Sequence, residues 1–332
     1  MVLLVTGSYP PDVCGVGDYC YHLINAEGAE NWELFYRKEW HPGYFWRYLK
    51  SIEKLKPEKI IFQYPTQGYG WSMVPFLLMI CCSVKMGRKC IVAYHEFTNR
   101  SRKAWLVQNL ALYFMKNAVV TNEYEKRAVK KWHKRLNVSV IKIYSNIKKS
   151  NHIKPFSERS IAYCYFGQIR PEKGIEGFLD FIEKATCSAS DSLIMGMIPE
   201  QFRAYGNAVV RRADKLGMQV KLNASAAEAA DILADSKCLM LLFPDGLSER
   251  RGSFMAGAMN GCLIFSTAGR YTSKSLQKCI YKILPDKYEN IEEAFAACNN
   301  RKWRRYFGAV NEYFDKNLPH SWNEVVQKYN EV

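Results

Sequence analysis

Short, unbroken apolar runs alternate with helical segments along this chain, and after a polar interval the whole pattern begins again. Residues 2–6, 59–63, 90–94, 118–121 and 138–143 read as strands of a first series. Residues 160–166, 192–195, 220–222, 238–243 and 262–266 read as strands of a second. Helices are expected around 19–24, and over 175–185, 200–216, 226–233 and 253–259. A strand that is apolar on both faces must be covered on both, which is the condition of parallel sheets with crossover helices. The pattern predicts an α/β protein of two doubly wound, Rossmann-like domains with a cleft between them. The length, 332 residues, also suits two domains of ~100–200 residues each. The expected domains are 1–152 and 153–310, with the linker in the polar, basic stretch 146–156.

The charge narrows the partner. Lys plus Arg number 47 and Asp plus Glu 32, a net +15, which biases the chain toward phosphates, acidic lipid or nucleic acid. The excess is lopsided: residues 1–155 hold 24 basic and 11 acidic side chains, net +13, and the remainder is nearly balanced. A nucleic-acid channel through two domains would draw on both halves, so the split favours an anionic membrane surface. Eleven cysteines without a CxxC pair read as buried free thiols of a reducing cytosol, and no Cys/His cluster has metal-ligand spacing. The opening residues 1–7 are too short for a signal-peptide core and lack a basic lead. The longest apolar run, 71–84, is interrupted by Pro75 and falls short of the ~20 residues a spanning helix needs. It reads as a core or interfacial helix. The expected location is cytoplasmic, peripheral on the inner face of the plasma membrane.

In doubly wound sheets ligands sit at the carboxyl ends of strands, so four strand-end loops carry the candidate chemistry. The first, residues 7–19, has Gly15 and Gly17 opening a helix, where free N–H groups favour an anion. It is not the GxGxxG dinucleotide fingerprint. The second is His95-Glu96, directly after a strand. The third runs from Gly167 to Gly174 and holds Arg170 and Lys173 just before a helix start, two cations where a phosphate would rest. The fourth, residues 243–261, holds Glu249, Arg250 and Arg251, then Gly252, Ser253 and Phe254 where the next helix begins.

A separate feature is the basic segment 123–136. Tyr124, Ala128, Trp132 and Leu136 recur every fourth residue, with Lys126, Arg127, Lys130, Lys131 and Lys134 spread across the rest. That is a basic amphipathic helix suited to an anionic membrane surface, to which Arg100, Arg102 and Lys103 add charge.

The four loops, in this order, resemble those of the retaining GT-B glycosyltransferases that use nucleotide-sugar donors, of the bacterial polysaccharide (group 1) type. The likeness spans residues 2–267. It rests on Tyr9-Pro10-Pro11 and Gly15-Val16-Gly17-Asp18-Tyr19, the His95 strand end, Gly167 with Arg170 and Lys173-Gly174, and Arg251-Gly252-Ser253-Phe254-Met255-Ala256. The resemblance implies that the first domain binds the acceptor and the second the donor, and that residues 311–332 form a C-terminal helix crossing back to the first. It implies sugar transfer with retention from a UDP- or GDP-sugar to a glycan or a polyprenyl-diphosphate-linked saccharide, in cell-surface polysaccharide biosynthesis such as O-antigen or capsule. It implies that Arg170 and Lys173 hold the leaving diphosphate and that His95 contacts the donor sugar. No cofactor or metal ion is expected, since these cations can serve at the diphosphate and no DxD pair is present. Two family glutamates have Ser248 and Ala256 in their places, and Cys14 replaces a first-loop glycine. Two other readings are a basic nucleic-acid-binding protein, for which no motif is present, and a GT-B sugar epimerase. An oxidoreductase is disfavoured by the missing dinucleotide fingerprint.

Overall fold

The computed structural model describes residues 1–98, 101–185, 189–283 and 289–332. Its elements run β1 (Val2–Thr6), α1 (Gly15–Ile24), β2 (Trp32–Tyr36), α2 (Phe45–Leu55), β3 (Lys59–Tyr64), α3 (Val74–Met86), β4 (Cys90–Tyr94), α4 (Arg102–Phe114), β5 (Asn117–Val120), α5 (Glu123–Trp132) and β6 (Asn137–Val140). They continue with β7 (Ile161–Gln168), α6 (Ile175–Lys184), β8 (Ser192–Met197), α7 (Arg203–Leu216), β9 (Gln219–Leu222), α8 (Ala226–Ala234), β10 (Ser236–Leu241), α9 (Gly252–Met259), β11 (Leu263–Ser266), β12 (Tyr281–Lys282), α10 (Glu289–Ala296), α11 (Asn300–Asn317) and α12 (Trp322–Glu331).

The chain divides into two compact units: Met1–Tyr144 with Pro319–Val332, and Ser145–Leu318. The first is built on a six-stranded parallel sheet of order β2-β1-β3-β4-β5-β6. Its middle strands are buried along their length, as their unbroken apolar sequences require. One face is covered by α2 to α5 and the other by α1 and α12. The second unit has a six-stranded parallel sheet of order β12-β11-β10-β7-β8-β9. Counted from β7, this is the Rossmann order, and the strand sequence reverses between β7 and β10. In the first unit it reverses between β1 and β3. These two switch points are where the loops after adjacent strands run apart and leave room for a ligand.

Three details differ from the sequence expectations. β2 has the sequence WELFY with Glu33 exposed, and β12 has only two residues, so neither shows an unbroken apolar run. The stretch 146–156, expected as the inter-domain linker, falls within the second unit, which begins at Ser145. There the Ser150 N–H donates to Asn260 Oδ1 at 2.7 Å and its hydroxyl to Asp231 at 2.8 Å. The third difference is in the C-terminal helical region. α11 stops at Asn317, Leu318 is extended and Pro319 follows, as the residue before a proline prefers. Only α12 then joins the first unit.

Candidate functional site

In the second unit the loops after β7 and β10 meet at one aromatic ring. Gly174, at φ +75°, lies so close to the chain after β10 that a Cβ there would stand 2.1 Å from the Leu242 carbonyl oxygen. Only glycine fits both that backbone angle and that approach. The approach carries Lys173 over Phe243, with its ammonium 6.0 Å from the ring centre. From the other loop the Arg251 guanidinium lies 4.4 Å from the same centre. Such cation–ring contacts hold both side chains at the carboxyl edge of the sheet, beside the β7/β10 switch point.

The charges there are partly compensated. Arg251 Nη2 donates to both Asp245 oxygens, at 2.7 and 2.9 Å. Arg250 Nη2 stands 3.7 Å from Asp245, and its guanidinium stacks 4.6 Å over Tyr271. Arg250 is the more enclosed of the pair, with a side chain only 4% exposed. Arg170 reaches Gln168, its Nε donating to Oε1 at 3.2 Å. The Tyr165 hydroxyl, which donates to the Gln168 carbonyl, has its pKa pushed up by burial and by Tyr205 and Glu176. Arg170 and Arg251 both act on it in the opposite sense.

The loop ends in α9. Arg251 is its N-cap, and no side chain caps the helix start. The first N–H groups of a helix have no intrahelical acceptor, so those of Gly252 and Ser253 are available to an anion. A Cβ on Gly252 would meet nothing within 4 Å among the described residues. The Phe254 side chain points away from it, fully buried against Phe314 at 5.8 Å. Glu249 is buried too, and its Oε1 accepts from the Tyr313 hydroxyl at 2.8 Å and from Ser273 at 3.1 Å. Ser248, at a position where the resembled family carries glutamate, is buried, and its hydroxyl has no hydrogen-bond partner among the described residues. Gly167 is the second-last residue of β7, paired with Gly196 on β8.

In the first unit His95 follows β4 and is 7% exposed. Its Nε2 shares a 2.8 Å hydrogen bond with Gln63 Oε1 on β3, and its ring meets the edge of Tyr19 at 4.8 Å. The Tyr19 hydroxyl donates to that of Tyr329 on α12 at 3.2 Å. Gly15 opens α1, and a Cβ added there would meet nothing within 4 Å, whereas Gly17 lies against the Ser8 backbone. Asp18, in the first turn of α1, has its carboxyl pushed up to about 6 by burial.

The segment 123–136 is not the helix its spacing suggests. α5 ends at Trp132, and His133 leaves the helical region at φ −119°. Its buried residues are Glu125 and Val129, while Trp132 is 55% exposed. Glu125 is buried because it accepts from the Thr98 amide and hydroxyl, both at 3.0 Å. Leu136 reaches the core from beyond the helix. Lys130 donates to the Lys134 and Leu136 carbonyls, and so ties the turn that follows back to its helix. Arg127, Lys131 and Lys134 are exposed and Lys126 is half-buried. Arg102 and Lys103 stand exposed at the start of α4, and Arg100 lies outside the described residues.

Sequence reasoning passed over Asp245, Phe243, Tyr271, Gln63 and Tyr329 as parts of these two clusters. The signal for Asp245 was a carboxylate six residues ahead of Arg251 in the same turn-forming loop.

No protein-family model matches the chain. No curated protein matches it either. Solved structures do. Sucrose-phosphate synthase from Thermosynechococcus elongatus superimposes with a TM-score of 0.72 at 14% identity, over 99% of this chain and 97% of that one. A glycosyltransferase from Rickettsia africae gives 0.69 at 12%, over 99% and 96%. Anabaena HepE, solved in complex with UDP and glucose, gives 0.67 at 12%, over 99% and 98%. The fold is therefore that of the GT-B glycosyltransferases, with two Rossmann-like domains.

Proposed function

We propose that this protein is a glycosyltransferase that moves a sugar, with retention, from a UDP- or GDP-sugar to a glycan or a polyprenyl-diphosphate-linked saccharide. The observation that carries the reading is the meeting of Lys173 and Arg251 on Phe243, beside the uncapped start of α9 at the β7/β10 switch point. The GT-B fold supports it, and so does the presence of UDP and glucose in HepE.

Breaking the anomeric bond makes the sugar oxocarbenium-like and loads negative charge on the departing diphosphate. Fixed cations and N–H groups aimed at that charge lower the barrier most, and losing one such donor typically costs ~2.7–4 kcal/mol. Arg170, Lys173 and the Gly252–Ser253 amides fill this role in the proposal. Asp245 holds Arg251 in place and offsets part of its positive charge, so Arg251 acts as a support to the cradle rather than its main cation. The reading needs no metal, because the cations meet the diphosphate directly. His95, oriented by Gln63, contacts the donor sugar. The acceptor reading places the protein in cell-surface polysaccharide biosynthesis, working at the cytoplasmic face of an anionic membrane.

A thermal-shift screen of nucleotide sugars tests the central part. A UDP- or GDP-sugar raises Tm and an oligonucleotide does not; the reverse result supports the nucleic-acid reading instead. Turnover of donor with no acceptor present would favour an epimerase. The anomeric configuration of the product, read by NMR, decides retention.

A further inference from the structure

We infer that the outer face of α4, with Trp132 beside it, is a docking surface for a bilayer carrying anionic headgroups. The inference deepens the membrane part of the function proposed above and does not rest on the transfer chemistry, since it stands on the first unit alone.

α3 and α4 both bury one side against the same face of the sheet, through residues such as Leu78, Met79, Ala111 and Leu112. The Ser83 hydroxyl on α3 donates to the Phe114 carbonyl at the end of α4 at 2.6 Å, which ties the two helices together. The opposite side of α4 is not polar, as a solvated helix would be. Leu106, Leu110 and Tyr113 are 65%, 56% and 72% exposed, and their spacing of four and then three residues puts them on one stripe. At 1.5 Å per residue the stripe runs for about 10 Å. α3, tied to α4, also exposes Leu77 at 44% and Val84 at 70%. A soluble surface scatters such residues singly; a contiguous patch marks an interaction site.

The charge around the stripe selects the partner. Neither α3 nor α4 contains a carboxylate. Arg102 and Lys103 are exposed one turn before Leu106. Trp132, 55% exposed at the end of α5, packs edge-on against Trp105 at 5.5 Å. That contact sets exposed Lys131 beside the start of α4, while His133 meets Asn109 and Tyr113 farther along the same helix. Arg102, Lys103 and Lys131 therefore lie along an apolar stripe edged by Trp and Tyr. Headgroup phosphates match the cations, the leucines fit the boundary of the acyl region, and the aromatic rings suit the interface between. A second copy of the chain fits poorly, because a two-fold contact would set these cations against themselves with no carboxylate on α3 or α4 to offset them.

The test is flotation of the full chain with vesicles of phosphatidylglycerol in phosphatidylcholine, compared with phosphatidylcholine alone. The protein floats with the anionic vesicles and not with the neutral ones, and added salt weakens the binding. Leu106→Ser with Leu110→Ser lowers the partition coefficient by about tenfold or more. Arg102→Ala with Lys103→Ala also lowers it and weakens the salt dependence. The serine variant keeps its thermal shift with a nucleotide sugar, which separates a failed surface from a failed transferase reading. Flotation of the serine variant equal to wild type overturns the inference, as does a wild-type protein that ignores anionic vesicles. A dimer that the serine variant converts to monomer in sedimentation also overturns it.

Discussion

Arg251 gives one terminal nitrogen to both oxygens of Asp245, so the most conspicuous cation of the fourth loop is already partly neutralised. With Arg250 3.7 Å from the same carboxylate, Asp245 touches both guanidinium groups. Asp245→Asn removes the negative charge from beside two enclosed guanidinium groups. The variant is expected to lose ~1–3 kcal/mol of stability, seen as a lower urea midpoint. Because the arginines are 4% and 14% exposed, salt restores little of the loss. An unchanged midpoint would mean that the pair does not hold the loop.

Gly174 sets how close the two loops come. Gly174→Ala adds a carbon 2.1 Å from a backbone oxygen at a left-handed backbone angle. One such strained position typically costs ~1–3 kcal/mol, and the clash adds to it. Urea unfolding should show this loss, and nucleotide binding should weaken with it as Lys173 is pushed off Phe243. A variant as stable as wild type would show that the close approach is not present in solution.

Asp18 supplies a pH signature. Burial raises its carboxyl to about 6, above the ordinary value of 3.8. The folded state therefore holds the proton more tightly than the unfolded chain, and stability falls as pH rises from about 4 through about 6. Above that window the cost of the buried charge is constant. Asp18→Asn removes it, so the variant melts higher than wild type at pH 7.5, and the gap closes as the pH is lowered toward 4. A gap that does not change with pH would assign the effect to packing rather than ionisation.

The fold was legible in the sequence where burial is uniform. β1 and β4 are covered on both faces, and their apolar runs mark them to the residue. β2 was not, because Glu33 interrupts the pattern on a strand at the sheet edge. The strand-end loops could be located from the alternation alone, and Lys173 and Arg251 do come together. What the sequence could not show is how charges pair inside a turn. Asp245 and Arg251 meet because the loop folds back on itself. Glu125 is buried in the middle of a charged segment because Thr98, 27 residues earlier, donates to it. The four-residue spacing in segment 123–136 misled for a related reason: the helix stops at Trp132, whose ring finds Trp105 rather than the core.

The grip of the β7 loop on a diphosphate is the centre of the proposed function, and titration calorimetry of UDP binding tests it most directly. Two charge-assisted contacts worth ~1.5–3 kcal/mol each predict that Arg170→Ala with Lys173→Ala raises Kd by about a hundredfold or more. A double variant that folds and binds UDP with the wild-type Kd would contradict it.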